Sequence, residues 1–486
     1  MKVIKKVFLF YPPGDLYQRG EDRSQGNVTN STATSMRAPN DMAYVSAQLK
    51  KKNIEVFFID YPSEGKNYKD LETDFLKFNP DLACISTTTS TIKFDLEIVK
   101  SLKKISEKTK FVIKGSLFFS APLDLLTTLD LAKIDYLVGG EIEFALTPLI
   151  NKINNGSNDL NDIPGIFYKE AEKWKSTRFG VWNTDIDNIP FPDRSIIKNN
   201  LYVRPDTKEP QATIATSRGC PSACVYCLTP VISGKSVRFR DPKKVLEEIS
   251  DCYHNHNIKN FFFKSDTFTI NKQWVLELCN EIKKSNLYRK IKWVANSRVK
   301  PLEKETLVAM KEAGCWLVAF GFESGSNETL KKIKKGANVD DNLRAARLTK
   351  EAGLKLYGFY LIGLPWEDKS HLELTKRHLF ETNPDFVELH IAVPYYGTEL
   401  YDMTKAEGIL TVPVVGQNYF EEATTGTKHL SSKDLINFRK KLLLSYHFRP
   451  FYLAKKIKDI LIQPKKFPNY LKYGIKLIQN NISLKQ

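Results

Sequence analysis

Nowhere in this chain do about 20 uncharged apolar residues follow one another, the run that a spanning helix needs, so no integral membrane helix is expected. Cysteine is scarce, seven in 486 residues, and unevenly placed, which argues against the disulfide scaffold of a small secreted protein. The start, MKVIKKVFLFYPPG, lacks the long apolar core of a signal peptide and reads as a basic pair followed by a short strand. Acidic residues nearly vanish at the other end. From Ile436 to Gln486 twelve basic residues meet one acid, Asp459, so this tail carries +11 of the formal +17. No repeat of the solenoid type is visible. The expectation is a cytoplasmic protein of about three domains, in which the basic tail makes peripheral contact with the inner face of a membrane.

What is present is a pair of alternating series. Over residues 1–153, KVFLFY, EVFFID, DLACIS, KFVIKG and DYLVGG are separated by helix-period segments. Near-continuous apolar strands with helical crossovers predict a parallel sheet covered on both faces, here a flavodoxin-like, doubly wound α/β domain. Such sheets bind ligands beyond the carboxyl ends of their strands. Those ends carry Ser86, Thr88, Gly115, Gly139, Gly140 and Glu141, mostly small or hydroxyl residues that let a large planar ligand approach the backbone. Residues 154–210, rich in Asn, Gly, Pro and Asp, read as a linker or small insertion. Over 211–400 six further strand signals alternate with helical segments and predict a partial (β/α)6 barrel, whose chemistry sits on the loops after the strands. Residues 401–486 read as helical, interrupted by Pro450.

Three of the seven cysteines crowd into one loop after the first barrel strand, Cys220-Pro-Ser-Ala-Cys224-Val-Tyr-Cys227. Soft thiolates at this spacing select iron–sulfur chemistry or zinc. A structural zinc wants a fourth ligand, and the nearest histidines, His254 and His256, lie well downstream. Three cysteines that merely pack are the remaining alternative. Cys84, Cys252, Cys279 and Cys315 stand singly in apolar or helical context and read as core.

The strings TSRGCPSACVYC, KSDTFT, NSRV, FGFESGS, LIGLPWE and PYYGTELY, in this order and at strand ends, resemble the radical S-adenosylmethionine (SAM) superfamily. Nearly the whole chain is similar to its cobalamin-binding branch, nearest to the group of the anaerobic magnesium-protoporphyrin ester cyclases and hopanoid-associated radical enzymes. The resemblance implies that Cys220, Cys224 and Cys227 hold a [4Fe-4S] cluster whose open iron binds S-adenosylmethionine. One electron, from a donor of flavodoxin or ferredoxin type, then yields a 5′-deoxyadenosyl radical that abstracts hydrogen from an unactivated carbon. By the same resemblance Tyr226 lies near the adenine, and Arg298 faces the methionine carboxylate. Glu323 and Ser324 bond the ribose or amino group, the backbone of Gly363 to Pro365 reads the adenine edge, and Asp266 faces substrate. The first domain then holds cobalamin. All seven histidines fall at or after His254, so that domain supplies no imidazole to cobalt.

The implied reaction is methylation, or another modification, of an unactivated carbon in a small or lipid-like metabolite. Apolar and aromatic residues accompany the charges of the tail, which favours a membrane surface over nucleic acid. Two alternatives stay open: a radical enzyme acting on tRNA, and a non-catalytic iron–sulfur binding module.

Overall fold

The computed structural model describes residues 3–19, 26–29, 36–119, 123–410, 414–418 and 422–482. Five parallel strands, β1 (Lys6–Tyr11), β2 (Glu55–Asp60), β3 (Leu82–Ser86), β4 (Lys110–Lys114) and β5 (Tyr136–Val138), lie in the order β2-β1-β3-β4-β5. This is the doubly wound order of a flavodoxin-like sheet. Strand alternation loads both faces. Val7, Leu9, Leu82, Cys84 and Val112 sink into one core, beneath α1 (Asn40–Lys50) and α4 (Leu146–Asn154). Phe8, Phe10, Ala83, Ile85 and Phe111 sink into the other, beneath α2 (Tyr68–Phe78) and α3 (Ile92–Ile105). Each buried Val, Leu, Ile or Phe among them contributes roughly 1.5–3 kcal/mol of apolar transfer, so the register of the sheet is strongly specified.

The stretch expected as linker or insertion holds a hairpin, β6 (Ile166–Glu170) and β7 (Lys173–Ser176), added antiparallel to the edge of β5. Its turn puts Ala171 and Glu172 at φ 47° and 63°. Two left-handed residues are what a tight hairpin needs, but Asn-Gly is the usual signal for them. Ala-Glu hides the turn from a reading of the sequence.

Six parallel strands form the second sheet, in sequential order: β8 (Gln211–Ala215), β9 (Asn260–Lys264), β10 (Lys292–Ser297), β11 (Cys315–Glu323), β12 (Lys355–Ile362) and β13 (Phe386–Ile391). Here alternation separates a helix-facing set from a barrel-facing set. Phe261, Phe263, Val318, Phe320, Leu356, Val387 and Leu389 pack outward against α5 (Pro242–His256), α6 (Lys272–Lys284), α7 (Lys304–Glu312), α8 (Val339–Glu351) and α9 (Lys369–Thr382). Phe262, Leu317, Ala319, Tyr357, Phe359, Phe386, Glu388 and His390 face an internal cavity. Three more helices follow: α10 (Ser432–His447) runs along the outside of the barrel from Gly363 to Pro384, and α11 (Pro450–Ile462) and α12 (Phe467–Ile482) close the end at which the strands begin. The Tyr452 hydroxyl donates to the Asp385 carbonyl at 3.1 Å, and Asn469 donates to the Asp206 carbonyl at 2.9 Å. Among the described residues no helix is long and apolar enough to cross a membrane.

Candidate active site and cofactor pockets

The cysteine loop leaves β8 through Gly219, whose φ of +91° and close approach, an added Cβ lying 2.2 Å from the Ser236 carbonyl oxygen, admit only glycine. Asp266, at the end of β9, accepts from the Gly219 amide at 2.8 Å. Expected to face substrate, it lines the cavity and fastens the loop. The Cys220 amide donates to the Gly234 carbonyl at 3.1 Å, Cys227 donates to the Cys224 carbonyl at 3.1 Å, and Val225 donates to the Ile333 carbonyl at 3.2 Å. The loop backbone is thereby held while its sulfurs face the cavity. Among the described residues no three His, Cys, Asp or Glu side chains converge on one metal ion. Sulfurs that serve separate corners of a cubane have no need to converge.

That cavity, about 510 Å³, runs the length of the barrel. Cys220, Cys224, Cys227 and Tyr226 line one end, and Trp316, Tyr357 and Phe386, near the starts of their strands, line the other. Arg298 enters beside the loop, 3.6 Å from the Cys224 sulfur, and also donates to the Lys335 carbonyl. Glu323, at a left-handed φ of 62°, pairs with buried Lys335 at 2.7 Å and stands beside Tyr226. Burial first, then the Glu323 carboxylate, holds the Tyr226 phenol protonated well above its ordinary range. Lys335 carried no signal in the sequence, since nothing local marks one lysine in a run as buried.

Other expected residues are placed elsewhere. Ser324 lies behind the cavity, its hydroxyl 3.1 Å from that of Thr375, so it does not share the position of Glu323. The Pro365 carbonyl accepts from Lys428 at 2.9 Å, and neither Gly363 nor Pro365 lines the cavity. The Gly363 and Leu364 amides instead donate to Glu367, at 2.8 and 3.1 Å. Burial pushes the Glu367 carboxyl up to about 7. An unfolded glutamate titrates near 4.3. The fold therefore favours the neutral form, and the stabilisation this adds is fully present below about pH 4.3 and is lost as pH rises through about 7. Glu367→Gln keeps an acceptor for both amides without the titration. In urea unfolding at pH 5 and pH 7.5, the parent is expected to lose up to about 3 kcal/mol more than Glu367→Gln; parallel losses would refute this.

The four remaining cysteines are buried away from the loop. Burial pushes the thiols of Cys252 and Cys279 up to about 12, so they are inert core residues.

Two family models match the chain: the radical SAM superfamily over residues 214–378 and the B12 binding domain over residues 27–150. An uncharacterized methyltransferase of Pyrococcus horikoshii is 30% identical over 457 residues, 94% of this chain and 95% of its own length. The chain belongs to the cobalamin-binding branch of the radical SAM superfamily. An anaerobic magnesium-protoporphyrin IX monomethyl ester cyclase of Cereibacter sphaeroides is 27% identical over 366 residues, 74% of this chain and 59% of the cyclase. The fold matches the solved structure of the cobalamin-dependent S-adenosylmethionine radical enzyme OxsB, with aqua-cobalamin and S-adenosylmethionine bound. The TM-score is 0.72 at 17% identity, over 99% of this chain and 72% of that one.

As a radical SAM protein the chain depends on a [4Fe-4S] cluster, S-adenosylmethionine and a one-electron reductant. The site fits the first two: the thiols of Cys220, Cys224 and Cys227 share a cavity with the Arg298 guanidinium and the Glu323 carboxylate. In its B12 binding domain the end of β5 opens on a groove of about 770 Å³ with Gly139, Gly140 and Glu141 in its lining. The buried hydroxyls of Ser90 and Ser116, in the turns after β3 and β4, have no hydrogen-bond partner. Both are of the kind a polar ligand satisfies. The Ser86 hydroxyl is engaged with the Arg19 carbonyl at 3.2 Å, and that of Thr88 with Thr91 at 3.0 Å. Gly115 packs on Thr87, and Gly139 on the Phe118 carbonyl. Glu141 is tied by Arg218 and Arg238, each at 2.9 Å, into an ion cluster between the two sheets. Although burial opposes ionisation, the two guanidinium groups hold its carboxyl below the usual range.

Proposed function

We propose that this radical SAM protein methylates an unactivated carbon of a small or lipid-like metabolite, with Cys220, Cys224 and Cys227 as cluster ligands. The observation that carries the reading is the junction of that three-cysteine loop with a barrel-long cavity. The apolar, aromatic depth of the cavity suits a hydrophobic substrate body. When bound, the cluster supplies an electron at an iron with an open coordination position, and cobalamin supplies a transferable methyl group. The chain's own residues then bind and orient. Arg298 offers a planar fork to the methionine carboxylate, and Glu323, held by Lys335, faces the amino or ribose groups. The protonated Tyr226 phenol closes the adenine side. Asp266 keeps the loop in place, and the aromatic walls exclude water from the reacting carbon. The electron comes from a flavodoxin- or ferredoxin-type donor. The basic carboxy-terminal region gives the protein a peripheral contact with the inner face of a membrane.

The test is turnover of anaerobically reconstituted protein with methyl-deuterated S-adenosylmethionine, strong reductant and extracts of metabolites and lipids. The expected result is 5′-deoxyadenosine together with a product in which one trideuteromethyl group replaces one hydrogen. Loss of hydrogens without label would move the reading to cyclase-type chemistry. A reconstituted protein with no near-visible cobalamin bands would remove the methyl donor.

A further inference from the structure

Helices α11 and α12 present their apolar residues outward. Ten of the sixteen large apolar side chains exposed among the described residues lie between Phe448 and Ile478, a concentration that chance scatter on a surface does not produce. On α12, Phe467, Leu471, Ile475 and Ile478 recur at helical spacing and are 40–51% exposed. On α11, Ile457, Leu461 and Ile462 are 57–76% exposed. The inner faces are occupied by the rest of the chain. Tyr452 is buried, Lys456 is pushed down to about 8 by burial, and Tyr473 donates to the Pro205 carbonyl at 3.1 Å. The tyrosine rings of the tail thus belong to the inner face, and aliphatic residues together with Phe448, Phe451 and Phe467 form the outer one.

Charge selects the occupant. Lys455 and Lys466 turn inward to Asp385 and Asp206, at 2.7 and 3.2 Å. Lys458, Lys465 and Lys472 stay exposed beside the apolar stripe. Asp459, the one acid on these helices, is paired with Lys355 at 3.1 Å. A second copy docked by the same face would set these lysines against one another with no outward carboxylate to meet them. A bilayer meets both features, taking the aliphatic side chains at the acyl boundary and the ammonium groups among anionic headgroups.

We propose that the outer face of α11 and α12 seats the protein on an anionic lipid bilayer. The inner face of α12 holds residues 205 and 206, which with Arg204 line the cavity end remote from the cysteines. Docking therefore brings that end toward the membrane. The link to substrate supply rests on the lipid-like substrate reading above; the docking itself does not.

The experiment is flotation of the full-length, cluster-loaded protein with vesicles of phosphatidylcholine, with and without phosphatidylglycerol. The parent is expected to float with the anionic vesicles and to remain behind with the neutral ones. A variant carrying Lys458→Glu, Lys465→Glu and Lys472→Glu is expected to bind about a hundredfold more weakly, and one carrying Leu461→Asp and Ile475→Asp to lose flotation. Both should keep the parent's thermal midpoint. Parent protein that stays in the bottom fractions overturns the proposal. So does an apolar variant whose only change is a lower mass in sedimentation velocity, which would assign the face to a second copy. Failure of docking with normal methyl transfer would leave the enzymatic reading standing; the converse would leave the docking.

Discussion

Protein carrying Cys224→Ala, purified and reconstituted without oxygen, is expected to lose its stable cluster and to release 5′-deoxyadenosine at least about a thousandfold more slowly than the parent. Losses of this scale follow when one member of a unit that works only as a whole is removed. Cys224 packs against no apolar core; it faces the cavity, with Arg298 3.6 Å from its sulfur. The apoprotein is accordingly expected to unfold within about 1 kcal/mol of the parent apoprotein. Cys279→Ala is the contrasting substitution. Cys279 sits in the core between α6 and the barrel strands, so its replacement should cost about 1–2 kcal/mol and leave both iron content and turnover intact. Iron content, the visible spectrum and product release check both substitutions. An unchanged spectrum in Cys224→Ala would end the assignment of this loop as the cluster site.

The largest expected change in stability comes from a residue with no part in the chemistry. Glu248, on α5, is fully buried and accepts from Arg194 at 3.0 Å and from Arg240 at 2.5 Å. Arg194 belongs to the segment between the two sheets, and Arg240 follows the cysteine loop. One carboxylate therefore joins three parts of the chain. Glu248→Ala would leave Arg194 buried without a counter-charge and Arg240 with only Asp187, at 3.8 Å, a loss of about 3–5 kcal/mol, readable as a fall in the urea midpoint. The ion pairs are costly to desolvate in the first place. A volume-matched triple replacement, Glu248→Leu with Arg194→Met and Arg240→Met, is therefore expected to recover most of that loss. If the single substitution cost less than about 1 kcal/mol, the buried triad would not be the clamp described here.

Much of the site was legible because its signals are local. The three cysteines, Tyr226, Arg298 and Glu323 all line the cavity, the first four placed by the loop after β8 and the last two by the ends of their strands. Ser324 was read one residue too far: neighbours at a strand end point to opposite sides, and a bulge between Gly321 and Glu323 sets which of them turns inward. Lys335, and the unpartnered hydroxyls of Ser90 and Ser116, gave no sign for a different reason. What marks them is burial and the presence or absence of a partner, and neither has a spacing to be read. The tail shows the same limit. Its composition announced a basic and apolar surface, yet which rings and which lysines face outward depends on α11 and α12 docking beneath the barrel.

By itself the sequence determined two parallel sheets, their order along the chain, and a loop of three thiolates after the first barrel strand, because strand period and ligand spacing are properties of near neighbours. Only the tertiary structure decided the rest: the cavity that runs through the barrel, the Glu323–Lys335 pair, the ion clusters around Glu141 and Glu248, and the outward apolar face of the last two helices. These depend on residues brought together from distant parts of the chain. There burial sets whether a charge is tolerated and packing sets which way a side chain turns.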